Sequence, residues 1–467
     1  VRLLLVSTYE LGHQPIHLAL PAAELSAAGM DVRTLDLSLG EEGRVDLDGI
    51  DAVAFSVPMH TAMRLATDLA LRIKEASPTL PIAFYGLYAA VGREWTVGKV
   101  ADLVIAGEYV TELVAWARAI AEGGEPRQGV VIGLERAGAV TPDRRTLPAH
   151  AGYARLEWEG VSRVAAAVEA SRGCRHRCRH CPIPVVYDGR MRTVGLESVL
   201  ADIDQLAGAG VEHVTFSDPD FMNAPRYSMD VMRSAHAAHP ELTFDVTVKV
   251  EHVLAHRSLW PELAGLGVLF VVSAFESVDE RTLEILAKNH TVQDMAVAVQ
   301  VLRSAGIHVR PTWLPFFPWT RPEDLAHLAK FLDLHELWSA TDPVQLSIKL
   351  LIPEGSLLEE HPAVTPFLTR YDPSALSWSW EFEHSGSELL HKQLDVIAAT
   401  ASDCQADTHE TLGAMRSAIG KEAGVDWGPL TKLGPPAPRL TESWFCCAEP
   451  TAGQATAVAL QIGMVPR

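Results

Sequence analysis

Short apolar runs alternate with segments of helical period through the first hundred residues. Leu3 to Val6, Asp31 to Leu37, Val53 to Val57, Ile82 to Tyr85 and Leu103 to Ala106 read as strands, with helices over Ile16 to Ala28 and Thr61 to Ala76. Strand and helix in strict alternation predict a parallel sheet covered on both faces, a doubly wound fold of the Rossmann or flavodoxin-like kind. Gly29 stands where the first helix should stop. Such sheets bind ligands at the carboxyl ends of their strands, here Ser7 to Pro15, Ser56 to Thr61 and Gly86 to Val91.

Residues 122–150 are rich in Gly, Pro, Arg and Thr and read as a crossing segment. A second series starts at Ala165, with strands expected over Ala166 to Ser171, Val211 to Ser217, Thr243 to Val250, Leu269 to Ala274, Ile307 to Trp313 and Val344 to Leu351. Leu196 to Gly210 reads as one of the intervening helices. Six such units predict a partial or full β/α barrel with its chemistry at the carboxyl ends of the strands. Beyond Pro353 the pattern turns irregular, apart from a helix expected over Ser387 to Ser402. The expected division is an α/β domain over 1–145, a barrel over 146–365, and a helical or irregular extension over 366–467 that serves as a lid or partner surface.

Length and composition agree with several buried cores: 467 residues, 48% hydrophobic and 21% charged. The net charge of -20 argues against a nucleic acid or an anionic membrane as partner. No run approaches the roughly 20 apolar residues of a spanning helix, and Leu3 to Val6 is too short for a signal core, so a cytoplasmic location is expected. Neither GxGxxG nor GxxxxGK[ST] occurs in the first segment, which removes the main support for dinucleotide or nucleoside-triphosphate binding. The six cysteines cluster in a way that suits metal or redox chemistry. Cys404 stands apart and reads as a small buried hydrophobe.

The sharpest local signal is Cys174-Arg-His-Arg-Cys178-Arg-His-Cys181, directly after the first strand of the second series. Three thiolates on one loop can hold three corners of a 4Fe-4S cubane and leave the fourth iron free for a small chelating molecule. The alternative is zinc held by these cysteines with His176 or His180, which normally needs a second ligand pair farther along. This CxxxCxxC stretch resembles the signature of the radical S-adenosylmethionine superfamily. The resemblance implies a cluster on Cys174, Cys178 and Cys181, S-adenosylmethionine on the open iron, and His180 near its adenine. Phe275-Glu276-Ser277 resembles the motif whose Glu contacts that ligand, against the plainer reading of a Glu that starts a helix. Phe216-Ser217-Asp218-Pro219-Asp220 resembles the family's acidic loop, and Pro353-Glu354-Gly355-Ser356 the turn that closes its barrel.

In that setting the first domain resembles the cobalamin-binding module of a large subgroup. The carried-over positions are Thr8, His13, Ser56, Arg64, Gly86 and Glu108, the last closing an Asp102 to Glu108 "D-x-V-x-x-G-E" stretch. DxHxxG is missing, so His13 is not expected to ligate cobalt and is read more readily as a hydrogen-bonded turn residue. Pro58 to Arg64 resembles a segment of cobalamin-dependent tryptophan methyltransferases, where Arg64 would occupy the lower face of the corrin. The other reading makes Arg64 a surface residue on a helix capped by Thr61. Trp444-Phe445-Cys446-Cys447-Ala448-Glu449-Pro450 resembles the CUAEP/CCAEP-tail radical proteins and implies reactive roles for Cys446 and Cys447 beside Glu276. The expected function is cobalamin-dependent methyl transfer to an unactivated carbon or heteroatom of a small molecule or peptide, with flavodoxin or ferredoxin as electron donor. A radical rearrangement or cyclisation, and a zinc-stapled corrinoid-binding regulator, are the rival readings.

Overall fold

The computed structural model describes residues 1–39, 45–135, 140–404 and 406–442. Cys446 and Cys447 lie outside these residues. The first region is a parallel sheet of β1 (Arg2–Ser7), β2 (Asp31–Asp36), β3 (Ala52–Ser56), β4 (Ile82–Tyr85), β5 (Leu103–Gly107) and β6 (Gly129–Gly133) in the order β2-β1-β3-β4-β5-β6. β3, β4 and β5 are buried along their whole length, which is why they read as unbroken apolar runs. Helices Ile16–Ala27, His60–Ala76 and Val110–Ala121 cover the faces. The strand order reverses between β1 and β3, and the loops that follow those two strands diverge there to open a crevice.

β6 falls inside the segment read as a crossing. As an edge strand it leaves Val130 and Ile132 exposed, and it is bounded by glycines, so it lacks the signal of a buried strand. The second helix begins at His60, with Met59 rather than Thr61 at its N-cap.

The second sheet opens with a hairpin of β7 (Arg155–Trp158) and β8 (Val161–Val168). Its two-residue turn, Glu159 and Gly160, has φ of 53° and 72°, the left-handed pair that matches the twist of a hairpin. β9 (Ser171–Gly173) and β10 (Met191–Thr193) pair antiparallel on either side of the cysteine loop. β11 (His213–Phe216), β12 (Thr243–Thr247), β13 (Val268–Glu276) and β14 (His308–Trp313) then run parallel to β8. The sheet order is β14-β13-β12-β11-β8-β7-β17, where β17 is Arg439–Leu440. Among the described residues the half-barrel therefore has five parallel strands. The sixth expected strand, Val344 to Leu351, is a 3-10 turn over Pro343–Leu346 followed by a lone bridge between Phe316 and Lys349. Pro343 has no N–H to give a ladder. β12 also ends before the expected Val250, which instead begins the helix Val250–Ala255.

A hairpin of β15 (Leu368–Asp372) and β16 (Ser377–Trp380) precedes the helices Ser385–Asp403 and Thr408–Ala423. Leu390, Leu394, Leu412, Met415 and Ile419 of those helices join the same apolar core as Trp313, Phe331 and Leu332 of the half-barrel. The C-terminal region thus completes the core instead of standing off as a lid. Cys404, expected to be buried, is exposed, because it follows the last residue of its helix.

One linker residue ties the two sheets together. Arg144 is 6% exposed and binds Asp202 through both carboxylate oxygens, at 2.6 and 2.8 Å. It also donates to Gln14 Oε1 at 3.1 Å and to the Ala167 carbonyl at 2.7 Å, so the first domain, β8 and a barrel helix meet at one guanidinium. Arg144→Met is expected to lower the unfolding free energy by about 3–5 kcal/mol, because Asp202 stays buried and unpaired. Adding Asp202→Leu should recover much of that loss, and urea midpoints of the full chain measure both.

Candidate active site

The cysteine loop is launched by Gly173 at the end of β9, with φ of 71°. A side chain there would collide with the Arg190 carbonyl and meet the Tyr187 ring at 2.7 Å, so the chain can turn only with glycine in this place. Cys174 and Cys178 are buried and Cys181 is partly exposed. Asn223 donates through Nδ2 to Cys174 Sγ at 3.4 Å. Burial pushes the Cys174 thiol up, so holding it as a thiolate requires a metal or a positive charge nearby.

Lys288 supplies that charge close by. It is 2% exposed, its Nζ lies 3.1 Å from Glu276 Oε1, and its ammonium feels Cys178 and Cys181. Glu276 ends β13 in a left-handed conformation, φ 67°, which is costly for any residue that carries a Cβ. His180 Nε2 approaches the same carboxylate oxygen at 3.3 Å. Burial alone would raise the Glu276 carboxyl, but Lys288 and His180 outweigh it and hold the group at about 2. Glu276 is not a helix-start residue: Asp279 caps the next helix by accepting from the Thr282 N–H at 3.0 Å.

The three cysteines, His180, Glu276 and Lys288 line one cavity of about 340 Å³ between the two sheets. Its opposite wall is formed by Leu11, His13, Pro58, Met59, Leu87 and Tyr88 from the crevice of the first domain. Ser217 and Asp218 also face it. Asp218 accepts from Ala170 N at 2.9 Å and Ser171 Oγ at 2.5 Å, and burial pushes its carboxyl up to about 7. Ser217 Oγ donates to the Val168 carbonyl at 3.2 Å. His13 is kept neutral by burial, its pKa lowered to about 4, and its Nδ1 has no hydrogen-bond partner among the described residues. The turn hydrogen bond at this position is made by the His13 backbone, to Glu10 O at 2.9 Å.

Other expected contacts do not line this cavity. Thr8 Oγ1 donates to the Ala62 carbonyl at 3.1 Å, Ser56 is buried at the end of β3, and the strained Gly86 lies against the Val57 carbonyl. Arg64 sits a turn into its helix, partly exposed and away from the cavity wall. Glu108 has a different partner: Arg172 Nη1 at 2.9 Å, with Tyr187 OH at 3.2 Å.

That pair belongs to a chain of charges absent from the sequence reading. Glu10 Oε1 meets His17 Nδ1 at 2.9 Å, His17 Nε2 lies 3.7 Å from Glu169 Oε1, and Glu169 Oε2 accepts from Arg172 Nε at 2.5 Å. Burial opposes the charge on His17, but Glu10 and Glu169 outweigh it and raise the imidazole to about 10. Burial likewise opposes ionised Glu169, which Arg172 and His17 nonetheless hold at about 2. The only sequence signal was location, since Glu10 lies in a loop already marked as a binding edge and Glu169 and Arg172 flank the triplet.

Two largely parallel sheets thus face each other across a cavity that carries the cysteine loop on one rim. Residues 168–332 match the radical SAM superfamily, a domain that implies a 4Fe-4S cluster and S-adenosylmethionine. The chain is 24% identical over 331 residues to the hopanoid C-3 methylase of Methylococcus capsulatus, a match covering 66% of this chain and 62% of that relative. Its fold is similar to that of the cobalamin-dependent S-adenosylmethionine radical enzyme OxsB with aqua-cobalamin bound, with TM-score 0.61, 15% identity, and 91% and 72% of the two chains covered. It is also similar to the radical S-adenosylmethionine methyltransferase TsrM of Kitasatospora setae, with TM-score 0.53, 19% identity, and 71% of each chain covered. Among the described residues no helix is long and apolar enough to cross a membrane.

Anaerobically reconstituted protein should be brown, and changing Cys174, Cys178 and Cys181 together to Ala should abolish the charge-transfer absorption and the bound iron. The charge chain also sets a pH window. Glu169 and Glu276, depressed to about 2, contribute stability above about pH 4.5 that is lost as pH falls toward 2. His17, raised to about 10, contributes fully below about pH 6.5 and progressively less up to 10. Unfolding midpoints should therefore peak between about pH 4.5 and 6.5, and His17→Gln should flatten the alkaline decline.

Proposed function

We propose that this enzyme uses S-adenosylmethionine, its cluster and a cobalamin to transfer a methyl group to an unactivated carbon or heteroatom of a small molecule or peptide. The observation that carries the reading is a cavity onto which the cysteine loop and the switch-point crevice of the first sheet both open. That crevice is where a doubly wound sheet takes its ligand. Its wall is largely apolar, which suits the flat face of a corrin. The likeness to a fold that holds aqua-cobalamin supports the same assignment.

When bound, the cluster delivers an electron to S-adenosylmethionine and the cobalamin carries a methyl group, while the protein orients both. Lys288 keeps Glu276 ionised at the rim of the cluster loop, where the carboxylate can accept from the ammonium or ribose of S-adenosylmethionine or close the open iron. A soluble electron donor such as flavodoxin or ferredoxin in the cytoplasm would supply the reducing equivalents. His13 lines the cavity, but among the described residues no carboxylate hydrogen-bonds its ring, the support that normally orients a metal-bound imidazole, so it is assigned no cobalt ligation.

Cys446 and Cys447 remain the proposed reactive pair. Glu442 lines the cavity, accepts from Tyr9 OH at 2.6 Å and presses against Gly12, where a side chain would meet it at 2.6 Å. Cys447 follows it by five residues, a reach of at most about 18 Å at ~3.6 Å per residue.

Reconstituted enzyme incubated with hydroxocobalamin, a strong reductant and methyl-labelled S-adenosylmethionine should place label in the corrinoid fraction. Formation of 5'-deoxyadenosine with no label transfer would favour rearrangement or cyclisation instead. His13→Ala should leave the spectrum of the bound cobalamin unchanged, whereas a shifted spectrum would make His13 a ligand. Cys447→Ser should abolish turnover with iron content and cobalamin binding intact, and Cys446→Ser should do less harm.

A further inference from the structure

Three side chains from three separate segments converge beside the cysteine loop. His176 lies inside the loop, Asp220 follows β11, and His252 lies on the helix after β12, with one ligand-type atom from each within 4.8 Å of the others. Asp220 is fully buried. Its Oδ1 is occupied, accepting from the Met222 N–H at 3.1 Å, which fixes the carboxylate plane. Its Oδ2 has no hydrogen-bond partner among the described residues, although His252 Nδ1 stands 2.8 Å away, and that nitrogen is also without a hydrogen bond. The two polar atoms thus face each other at 2.8 Å without a hydrogen bond between them. A buried carboxylate oxygen in that condition is costly unless something charged fills the gap.

The spacing suits a metal. His176 Nε2 is 3.3 Å from His252 Nε2 and 3.9 Å from Asp220 Oδ2. A tetrahedral ion with bonds of about 2.0–2.1 Å keeps its ligand atoms roughly 3.3 Å apart, the separation of the two Nε2 atoms, and the one ligand atom offered by each residue lies within 4.8 Å of the other two. Glu251 Oε2 lies 3.7 Å from His176 Nδ1 and adds negative charge, while Lys249 is paired with Glu251 at 3.5 Å, so the surroundings stay net anionic. We propose that His176, Asp220 and His252 bind a divalent cation of zinc's class, with water completing its shell, separately from the cluster. The donor set of two imidazoles and one carboxylate with an open position fits that class. The ion would pin the middle of the cysteine loop to the loops after β11 and β12, and so set where Cys174 and Cys178 present their sulfurs.

The test is metal analysis of the full chain, reconstituted anaerobically with iron and sulfide, then given one equivalent of Zn²⁺ and desalted. The expected result is one zinc per chain in addition to the cluster iron. The triple change of Cys174, Cys178 and Cys181 to Ala should lose the iron and keep the zinc. His252→Gln, at a partly exposed position that tolerates change, and Asp220→Asn should weaken zinc binding by at least the ~10–100-fold that loss of even an outer partner costs, while the cluster absorption persists. A chain that retains no zinc would overturn the site, as would zinc that disappears with the cysteines or binds His252→Gln as tightly as the parent.

Discussion

The arrangement rests on the buried line of charges Glu10, His17, Glu169, Arg172 and Glu108, which crosses from the first sheet to the strand that launches the cysteine loop. Three carboxylates, an imidazole and a guanidinium alternate out of water, so each group is tolerable only while its neighbours stay in place. Glu10 and Glu108 belong to the loops after β1 and β5, whereas Glu169 and Arg172 stand just before Cys174. The line therefore sets the distance between the crevice of one domain and the metal loop of the other. Arg144 does the same from the opposite side of the linker, through Asp202, Gln14 and Ala167.

Within that frame the local charge around the cysteines runs opposite to that of the molecule. The chain carries a net charge of -20, yet the group placed against Cys178 and Cys181 is the buried ammonium of Lys288. Lys288 in turn makes it possible for Glu276 to remain ionised in a buried, left-handed position at the end of a strand. A strained backbone carrying a fixed carboxylate beside three thiolates is the kind of cost that persists at sites of chemistry.

The half-barrel needs help to close its core. With five parallel strands among the described residues, one flank is filled by the helices Ser385–Asp403 and Thr408–Ala423, whose leucines pack among the barrel's own aromatics. β17 adds to the other edge through Leu440 and Leu156, and so brings Glu442 to the cavity. The C-terminal region is thereby part of both the core and the cavity wall.

Much of this was determined by sequence alone, wherever the physical signal is local. Strands buried on both faces must be apolar throughout, so β1, β3, β4 and β5 were legible, and three cysteines on one short loop mark a candidate metal site by spacing. The hairpin strand β7 and the edge strand β6 carry no such signal, because each is paired on terms that only its neighbour sets. The sixth barrel strand looked legible in Val344 to Leu351 and failed at Pro343, where the missing N–H outweighed the apolar run. Tertiary structure alone decided which charges meet. Glu108 and Arg172 are 64 residues apart, His176 and His252 are 76 apart, and no spacing rule links them. It also kept Thr8, Ser56, Gly86 and Arg64 off the cavity wall while bringing His17 and Glu442 onto it. Burial pattern and ligand spacing are properties of a stretch of chain. The partner of a buried charge is a property of how two sheets close on each other.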